Sequence, residues 1–313
     1  MKNKKINNIS SVIDLFSILL GLLFISIIIL FSYKLQDWAA LSFTTLLYLI
    51  GYAASCWIIR YIKNDKFNMI LHTTAILILF SYYYPLSGNL QHILFDGWFD
   101  KTLISLDHFF VGIETSLFLE KISSPVLTEW MMFAYMAYIP LLFVVSITCY
   151  FSADANASKE YLFNLICTYA VCYLGFIIFP VASQTFYYPE VYTVQLEGGI
   201  FSICAELLHK YGHFPGGSLP SPHCAATTVM ALFLYRYNRK IFYWLLPIVI
   251  SIYISTVYSR YHYSWDGIVG IITALVVVKL TPKILEWTNL LMEKNYLTTV
   301  KIKTASIISG GLQ

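Results

Sequence analysis

Charge is what this chain has least of. Only 12% of its 313 residues are Asp, Glu, Lys or Arg, about half of what soluble domains carry. The net charge is +3, and the 20 Lys and Arg are scattered rather than gathered into a stripe that could track a phosphate backbone, so nucleic acid is not an expected partner. The six cysteines, Cys56, Cys149, Cys167, Cys172, Cys204 and Cys224, include no CxxC pair and no disulfide-scaffold spacing. They are expected to be buried packing residues. No HExxH pair suggests a metal centre and no G-x-S-x-G elbow suggests a serine nucleophile. Neither a metal nor another cofactor is expected. No internal repeat, low-complexity tract or linker divides the chain.

Apolar sequence fills the space that charge leaves. The chain is 58% hydrophobic and 17% aromatic, with a mean hydropathy of +0.67. Apolar runs lie at about 12–33, 38–60, 68–86, 128–151, 161–182, 219–237, 241–258 and 264–281, and a helix of ~20 residues crosses a hydrocarbon core. The expected fold is an all-α polytopic membrane protein with about eight transmembrane helices. The basic residues Lys2, Lys4 and Lys5 ahead of the first run superficially resemble a secretory signal. The run is too long, however, and no small-residue cleavage site follows it, so a retained helix is expected. The last three runs are shorter and more polar and must lean on other helices.

Cytoplasmic loops collect Lys and Arg. Here Lys2/Lys4/Lys5, Arg60/Lys63/Lys66, Lys159, Arg236/Arg239/Lys240 and Lys279/Lys283 fall at alternate ends of the spans. Both termini are then cytoplasmic, and segments 87–127, 183–218 and 259–263 face the other side of an inner or plasma membrane. Segment 87–127 alternates apolar and charged residues at helical spacing, as an interfacial helix does. Ser123, Pro125 and Thr128 signal the start of the fourth span.

Two histidines stand in chemically suggestive surroundings on that non-cytoplasmic side. Gly216, Gly217, Pro220, Ser221 and Pro222 precede a helical run with His223 in its first turn. A helix start offers free N–H groups to an anion, glycine lets backbone approach it, and Ser221 suits an N-cap or a phosphate donor. His262 stands four residues before Asp266, a spacing that stacks the two on one helical face. A carboxylate on one ring nitrogen orients the imidazole and makes the other nitrogen a better nucleophile. The 39 residues between the histidines fit one hairpin out and back through the membrane. If they meet, His262 would attack phosphorus and His223 would act as acid and base. His72, His92, His108, His209 and His213 lack such a second feature and read mostly as amphipathic interface residues.

These residues resemble the type 2 phosphatidic acid phosphatase superfamily. Pro220-Ser221-Pro222-His223 matches its P-S-x-H signature, and His262-Tyr263-Ser264-Trp265-Asp266 matches H-x-x-x-D. The stretch from Phe179 to Glu190 is similar to its F-P-V-A-G-P-R segment, and the likeness covers roughly 95–281. Ser255-Thr256-Val257-Tyr258 resembles the S-T-x-Y of the inositol phosphorylceramide synthase-like branch. The resemblance implies a six-helix phosphatase-like core and a metal-free phosphohistidine mechanism, with His262 as nucleophile, Asp266 orienting it and His223 as acid and base. Two family arginines are missing, replaced by Thr185 and Thr256, and no K-x₆-R-P element is present. A guanidinium fork binds phosphate bidentately, so another group must take its place. Arg260 and Lys210 are the candidate cations, with Ser221 and backbone N–H groups, Gly217 among them, as neutral donors.

The expected organisation is N-terminal transmembrane helices over 1–90, a catalytic core over 91–285 and a cytoplasmic tail over 286–313. The expected partner is a lipid substrate within the bilayer, and the sequence sets no oligomeric state. Headgroup transfer between lipids is favoured by the lost arginines, with simple lipid phosphate hydrolysis and a membrane protein with a decayed site as alternatives. Substrate specificity is expected in segments 87–127 and 183–218. Trp98, Trp130, Tyr187 and Tyr188 would form an acyl-chain entrance or an ordinary aromatic belt.

Overall fold

The computed structural model describes residues 2–212 and 214–310, with side chains described over 9–208, 210, 212 and 214–288. The side chains of Lys2, Lys4, Lys5, His209 and His213, and of the tail from 289, lie outside the described ones. In order, the helices are α1 (Lys2–Leu30), α2 (Trp38–Ile59), α3 (Asp65–Asn89), α4 (Asp100–Val111), α5 (Thr115–Glu120), α6 (Pro125–Ser152), α7 (Ala155–Ile178), α8 (Gln184–Tyr187), α9 (Ile200–Gly212), α10 (Pro222–Tyr237), α11 (Arg239–Tyr258) and α12 (Ser264–Gly310). No strand occurs among the described residues. The protein is an all-α polytopic membrane protein.

Among the described residues, seven helices are long and apolar enough to span: α1, α2, α3, α6, α7, α11 and the Ser264–Thr288 part of α12. The run at 219–237 differs from expectation. It forms α10, which at 16 residues reaches only about 24 Å. A glycine- and proline-rich loop takes up its first residues, and the short helix is enclosed by α6, α7, α11 and α12 instead of lipid. By contrast, Leu15, Leu19, Leu22 and Leu23 on α1 and Phe43, Leu46, Leu47 and Ile50 on α2 are exposed from the bundle. Rows of this kind are suited to acyl chains.

Caps account for the shifted boundaries. Ser124, not Ser123, caps α6, accepting the Leu127 N–H at 3.3 Å with Pro125 in the first turn. Asp154 accepts the Asn156 and Ala157 N–H groups, both at 2.9 Å, so α7 starts six residues before the apolar run read at 161. The expected single interfacial helix is two short ones, because Gly112 takes φ 80° at the end of α4. Phe109, Phe110 and Val111 stay exposed there. Helix α12 runs on through 285 to Gly310 without a break.

Helix α7 sits centrally, packed on α1, α3, α6, α10 and α12. One end of the bundle gathers Lys66 over the Phe151 ring, Arg236 and Tyr237 on Glu160, and Asn238 on Ser152. His72 is also nearer this end. It is buried and 2.8 Å from Asp14, which overturns its reading as an amphipathic interface residue. Cys204 is partly exposed, unlike the other five cysteines. The opposite end carries the P-S-x-H and H-x-x-x-D segments.

Candidate active site

The two histidines meet. Their ring centroids lie 5.6 Å apart, at an interplanar angle of 63°. The hairpin of α10 and α11 brings them together as the 39-residue spacing anticipates. A backbone hydrogen bond from Ser221 to the Asp266 carbonyl, 3.0 Å, fastens the start of α10 to that of α12. Gly270 makes the close approach possible, since a Cβ there would come within 2.6 Å of the Ser221 carbonyl oxygen.

Ser221 is the N-cap of α10, its Oγ accepting the Cys224 N–H at 3.4 Å, and His223 follows in the first turn. The preceding loop is held by Gln91, whose Nε2 donates to the Pro215 carbonyl at 2.5 Å, and by the Gly216 N–H donating to Ala182 at 3.1 Å. Gly216 and Gly217 take φ 115° and 70°, values that other residues rarely adopt. A Cβ on Gly216 would also overlap the Gln91 amide. The ring of His223 lies against Tyr135 and Tyr138, at 4.7 and 4.6 Å between centroids.

His262 sits in the turn before α12, not on the helix itself, because α12 begins at Ser264. Its N–H donates to the Thr256 carbonyl at 3.0 Å. The turn still delivers the pairing expected from the spacing: Nδ1 lies 3.4 Å from Asp266 Oδ2. That is ion-pair range but long for a hydrogen bond. The same Oδ2 accepts the Tyr263 N–H at 2.9 Å, and Oδ1 has no hydrogen-bond partner. His262 and Asp266 are both buried.

The other proposed contacts are placed less centrally. Arg260 directs its guanidinium at Glu120 (2.9 Å) and the Val194 carbonyl (2.7 Å), and covers the Tyr192 ring at 4.0 Å. Its charge is already matched. Lys210 is exposed on α9, a helix anchored by Glu129, which accepts the N–H groups of Gly199, Phe201 and Ser202. The two threonines at the arginine positions serve the scaffold. Thr185 donates through N and Oγ1 to the Arg260 carbonyl, at 3.2 and 2.8 Å, and Thr256 Oγ1 donates to the Tyr253 carbonyl at 2.9 Å.

Two residues enter that the sequence reading did not single out. Asp100, fully buried at the start of α4, accepts the Ala182 and Ser183 N–H groups (2.8 and 3.1 Å) and the Tyr263 hydroxyl (2.9 Å). It thereby ties three separated segments together beside His262. Burial pushes its carboxyl up to about 6, against the pull of these donors, and the nearby Asp266 adds to the rise. Gln184 is fully buried with no hydrogen-bond partner on either amide atom. It lies between Ser183, tied to Asp100, and Thr185, tied to Arg260. Asp100 opens an amphipathic segment and Gln184 lies in the Phe179–Glu190 stretch, but nothing in either stretch marked the residue itself.

A cavity of about 670 Å³ opens from His223 between α3, α6 and α7. Tyr84, Tyr135, Tyr138, Tyr169 and Tyr173 line it, no Asp, Glu, Lys or Arg does, and it runs to Ile78 and Ile139 on the outer surface. Leu208 and Gly212 of segment 183–218 contribute to its wall, but most of it comes from the spans. Trp98 meets His92 edge-on, Trp130 donates to Ser251, and Tyr188 donates to Glu114; none of these, nor Tyr187, lines the cavity.

One end of a helical membrane bundle thus holds two apposed histidines and a buried aspartate. The PAP2 superfamily model matches residues 101–280. The chain belongs to the PAP2 superfamily, whose members are phosphatases or phosphotransferases. No curated protein and no solved structure matches it.

Proposed function

We propose that the protein moves a phosphorylated headgroup from a phospholipid to the hydroxyl of a second lipid, through a phosphohistidine on His262. The observation that supports this is the meeting of His223 and His262 beside an uncharged, tyrosine-lined cavity, with Asp266 behind His262. The cavity is suited to an acyl chain and the helix start at Ser221 to an anion. Within this reading residues 91–285 are the catalytic core. The site lies at the end opposite Lys66 and Arg236, which argues for the non-cytoplasmic face of an inner or plasma membrane.

Nδ1 of His262 faces Asp266, so Nε2 is the attacking nitrogen. As the P–N bond forms, the bond from phosphorus to the donor's alcohol oxygen breaks, and protonated His223 gives that oxygen a proton. The acceptor hydroxyl then loses its proton to His223 and attacks phosphorus, and the P–N bond breaks. Asp266 stabilises the charge that builds on His262. Hydrolysis is the same sequence with water as acceptor.

The absent arginines favour transfer. A phosphate monoester carries about two negative charges at neutral pH, a headgroup diester one, and the diester needs less positive charge to hold it. Ser221, Gly217 and neighbouring N–H groups, with the Gln184 amide as a further neutral donor, suit the singly charged group, and the Arg260 guanidinium is already engaged by Glu120. The test uses purified protein in vesicles with a headgroup-labelled phospholipid, with and without a lipid alcohol. Label in a new lipid only when the alcohol is present supports transfer. Water-soluble label without it supports hydrolysis instead, and no reaction of either kind supports a decayed site.

A further inference from the structure

The family match begins at residue 101, and the helices before it hold a polar cluster that phosphoester chemistry at the other end does not use. Asp14 on α1, Cys56 on α2 and His72 on α3 each present a ligand atom, and all three atoms lie within 4.8 Å of one another. Asp14 Oδ1 is the hub. It is 2.8 Å from His72 Nε2, 3.4 Å from Cys56 Sγ and 2.9 Å from the Tyr52 hydroxyl. Among the described residues no other group of three such side chains converges in this way.

Two physical features set the cluster apart from an ordinary buried hydrogen-bond network. One carboxylate oxygen has two lone pairs, yet three donors crowd onto Oδ1, so one more contact is made than the oxygen is built to accept. Ionisable side chains inside a membrane span are also costly and generally serve a function. These three come from separate helices, 42 and 58 residues along from Asp14.

We propose that Asp14, Cys56 and His72 form a zinc site that clamps α1, α2 and α3 together, with Tyr52 holding the carboxylate from outside. One imidazole, one thiolate and one carboxylate suit a borderline-soft divalent ion, and three protein ligands leave the fourth tetrahedral place to water. Around zinc, neighbouring ligand atoms stand about 3.3–3.6 Å apart, so His72 Nε2 would withdraw from Oδ1 by roughly 0.5 Å, and Nε2 and Sγ, now within 4.8 Å of each other, would settle to the same spacing. Binding displaces the Cys56 thiol proton to water and leaves His72 neutral, with its proton on Nδ1 and its Nε2 lone pair on the metal. The crowding at Oδ1 is relieved, because Nε2 and Sγ turn from donors to the carboxylate into ligands of the ion. Only the Tyr52 hydroxyl then still donates to Asp14. Asp14, its side chain 14% exposed against 8% for His72, is the more accessible of the two.

The sequence hides this site because its ligands share no motif. The test is independent of the reaction. Full-length protein in detergent is stripped with a chelator, dialysed and titrated with ZnCl₂, and separately with CoCl₂ to reveal a thiolate-to-cobalt charge-transfer band. The wild type should bind one zinc per chain and show the band. Cys56→Ser should abolish the band, His72→Ala should weaken zinc binding by more than a hundredfold, and Tyr52→Phe should keep the band but bind about tenfold more weakly. Cys204→Ser should behave as wild type. Substoichiometric zinc in the wild type, or a band that survives Cys56→Ser, overturns the site. Should the variants fail to fold, alkylation of the wild type followed by peptide mapping decides: zinc must slow modification of Cys56 selectively, and unchanged modification refutes the proposal.

Discussion

Two His–Asp pairs stand at opposite ends of one bundle, and they differ in what surrounds them. At the PAP2 end His262 keeps 3.4 Å from Asp266, which has one oxygen without a hydrogen-bond partner, and a second imidazole, that of His223 at the mouth of the cavity, stands 5.6 Å away. At the other end His72 closes to 2.8 Å on Asp14, and a thiol and a phenol complete the shell. The first arrangement is loose, and its neighbour His223 lines the cavity. The second is tight and joins three helices. On the readings proposed above, the same pair of side chains would serve turnover in one place and cohesion in the other, the third and fourth groups making the difference.

The largest expected effect separates the two histidines directly. His262→Ala should abolish turnover of any lipid that the wild type processes, because no other imidazole stands where it can replace the nucleophile. His223→Ala should lose about 10²–10⁴-fold, most severely with poor leaving groups. His72→Ala should instead reduce turnover per folded molecule by less than about tenfold. Similar losses at both ends, measured as initial rates on folded protein, would break the comparison.

Next in size is Asp266→Asn. An orienting carboxylate in a hydrolase triad contributes about 10⁴-fold; with a 3.4 Å contact here, a loss near 10²-fold is expected, mainly in kcat. Asp14→Asn and His72→Ala should register in stability. Breaking one partner out of a buried charge pair costs about 3–5 kcal/mol, readable as a lower unfolding temperature in detergent. Retained unfolding temperature in both would mean that the pair at this end holds nothing together.

The two ends were unequally legible in the sequence. Short motifs named His223, His262 and Asp266 because side chains at helix starts keep local spacing, and a 39-residue hairpin has few ways to fold. Arg260 was a plausible phosphate ligand by proximity alone; its left-handed backbone, φ 66°, is where its guanidinium meets Glu120 and Tyr192, a partner 140 residues away that no local pattern encodes. Asp14, Cys56 and His72 were illegible for the same reason: each is one polar residue in an apolar run, and their convergence depends on how three helices pack. The spans themselves were read nearly throughout, since length and hydropathy dictate them. α10 is the exception, because burial among helices lets it be shorter than lipid would allow.

The loop before α10 offers a smaller test of the PAP2 end. Gly216→Ala places a Cβ against Gln91 at φ 115°, a strain of about 1–3 kcal/mol. It should lower kcat by displacing His223 while leaving zinc binding at the far end intact. Equal loss of both would show that the two ends fold as a single unit and are not separable.

The smallest effect lies in Asp100, which supports the turn carrying His262. Its carboxyl is raised from 3.8 to about 6 by burial, so the folded state holds this proton more tightly than the unfolded chain does. Stability from this group is therefore greatest at low pH, falls as pH rises through the interval between those two values, and stays low above it. Asp100→Asn removes the titration together with one acceptor for the Ala182, Ser183 and Tyr263 donors. Between about pH 5 and about pH 7.5 the wild type should lose unfolding temperature relative to Asp100→Asn, even though the variant is the less stable of the two at the lower pH. A difference that stays constant, or that moves in favour of the wild type, would mean that Asp100 is ionised throughout and that the donors around it outweigh its burial.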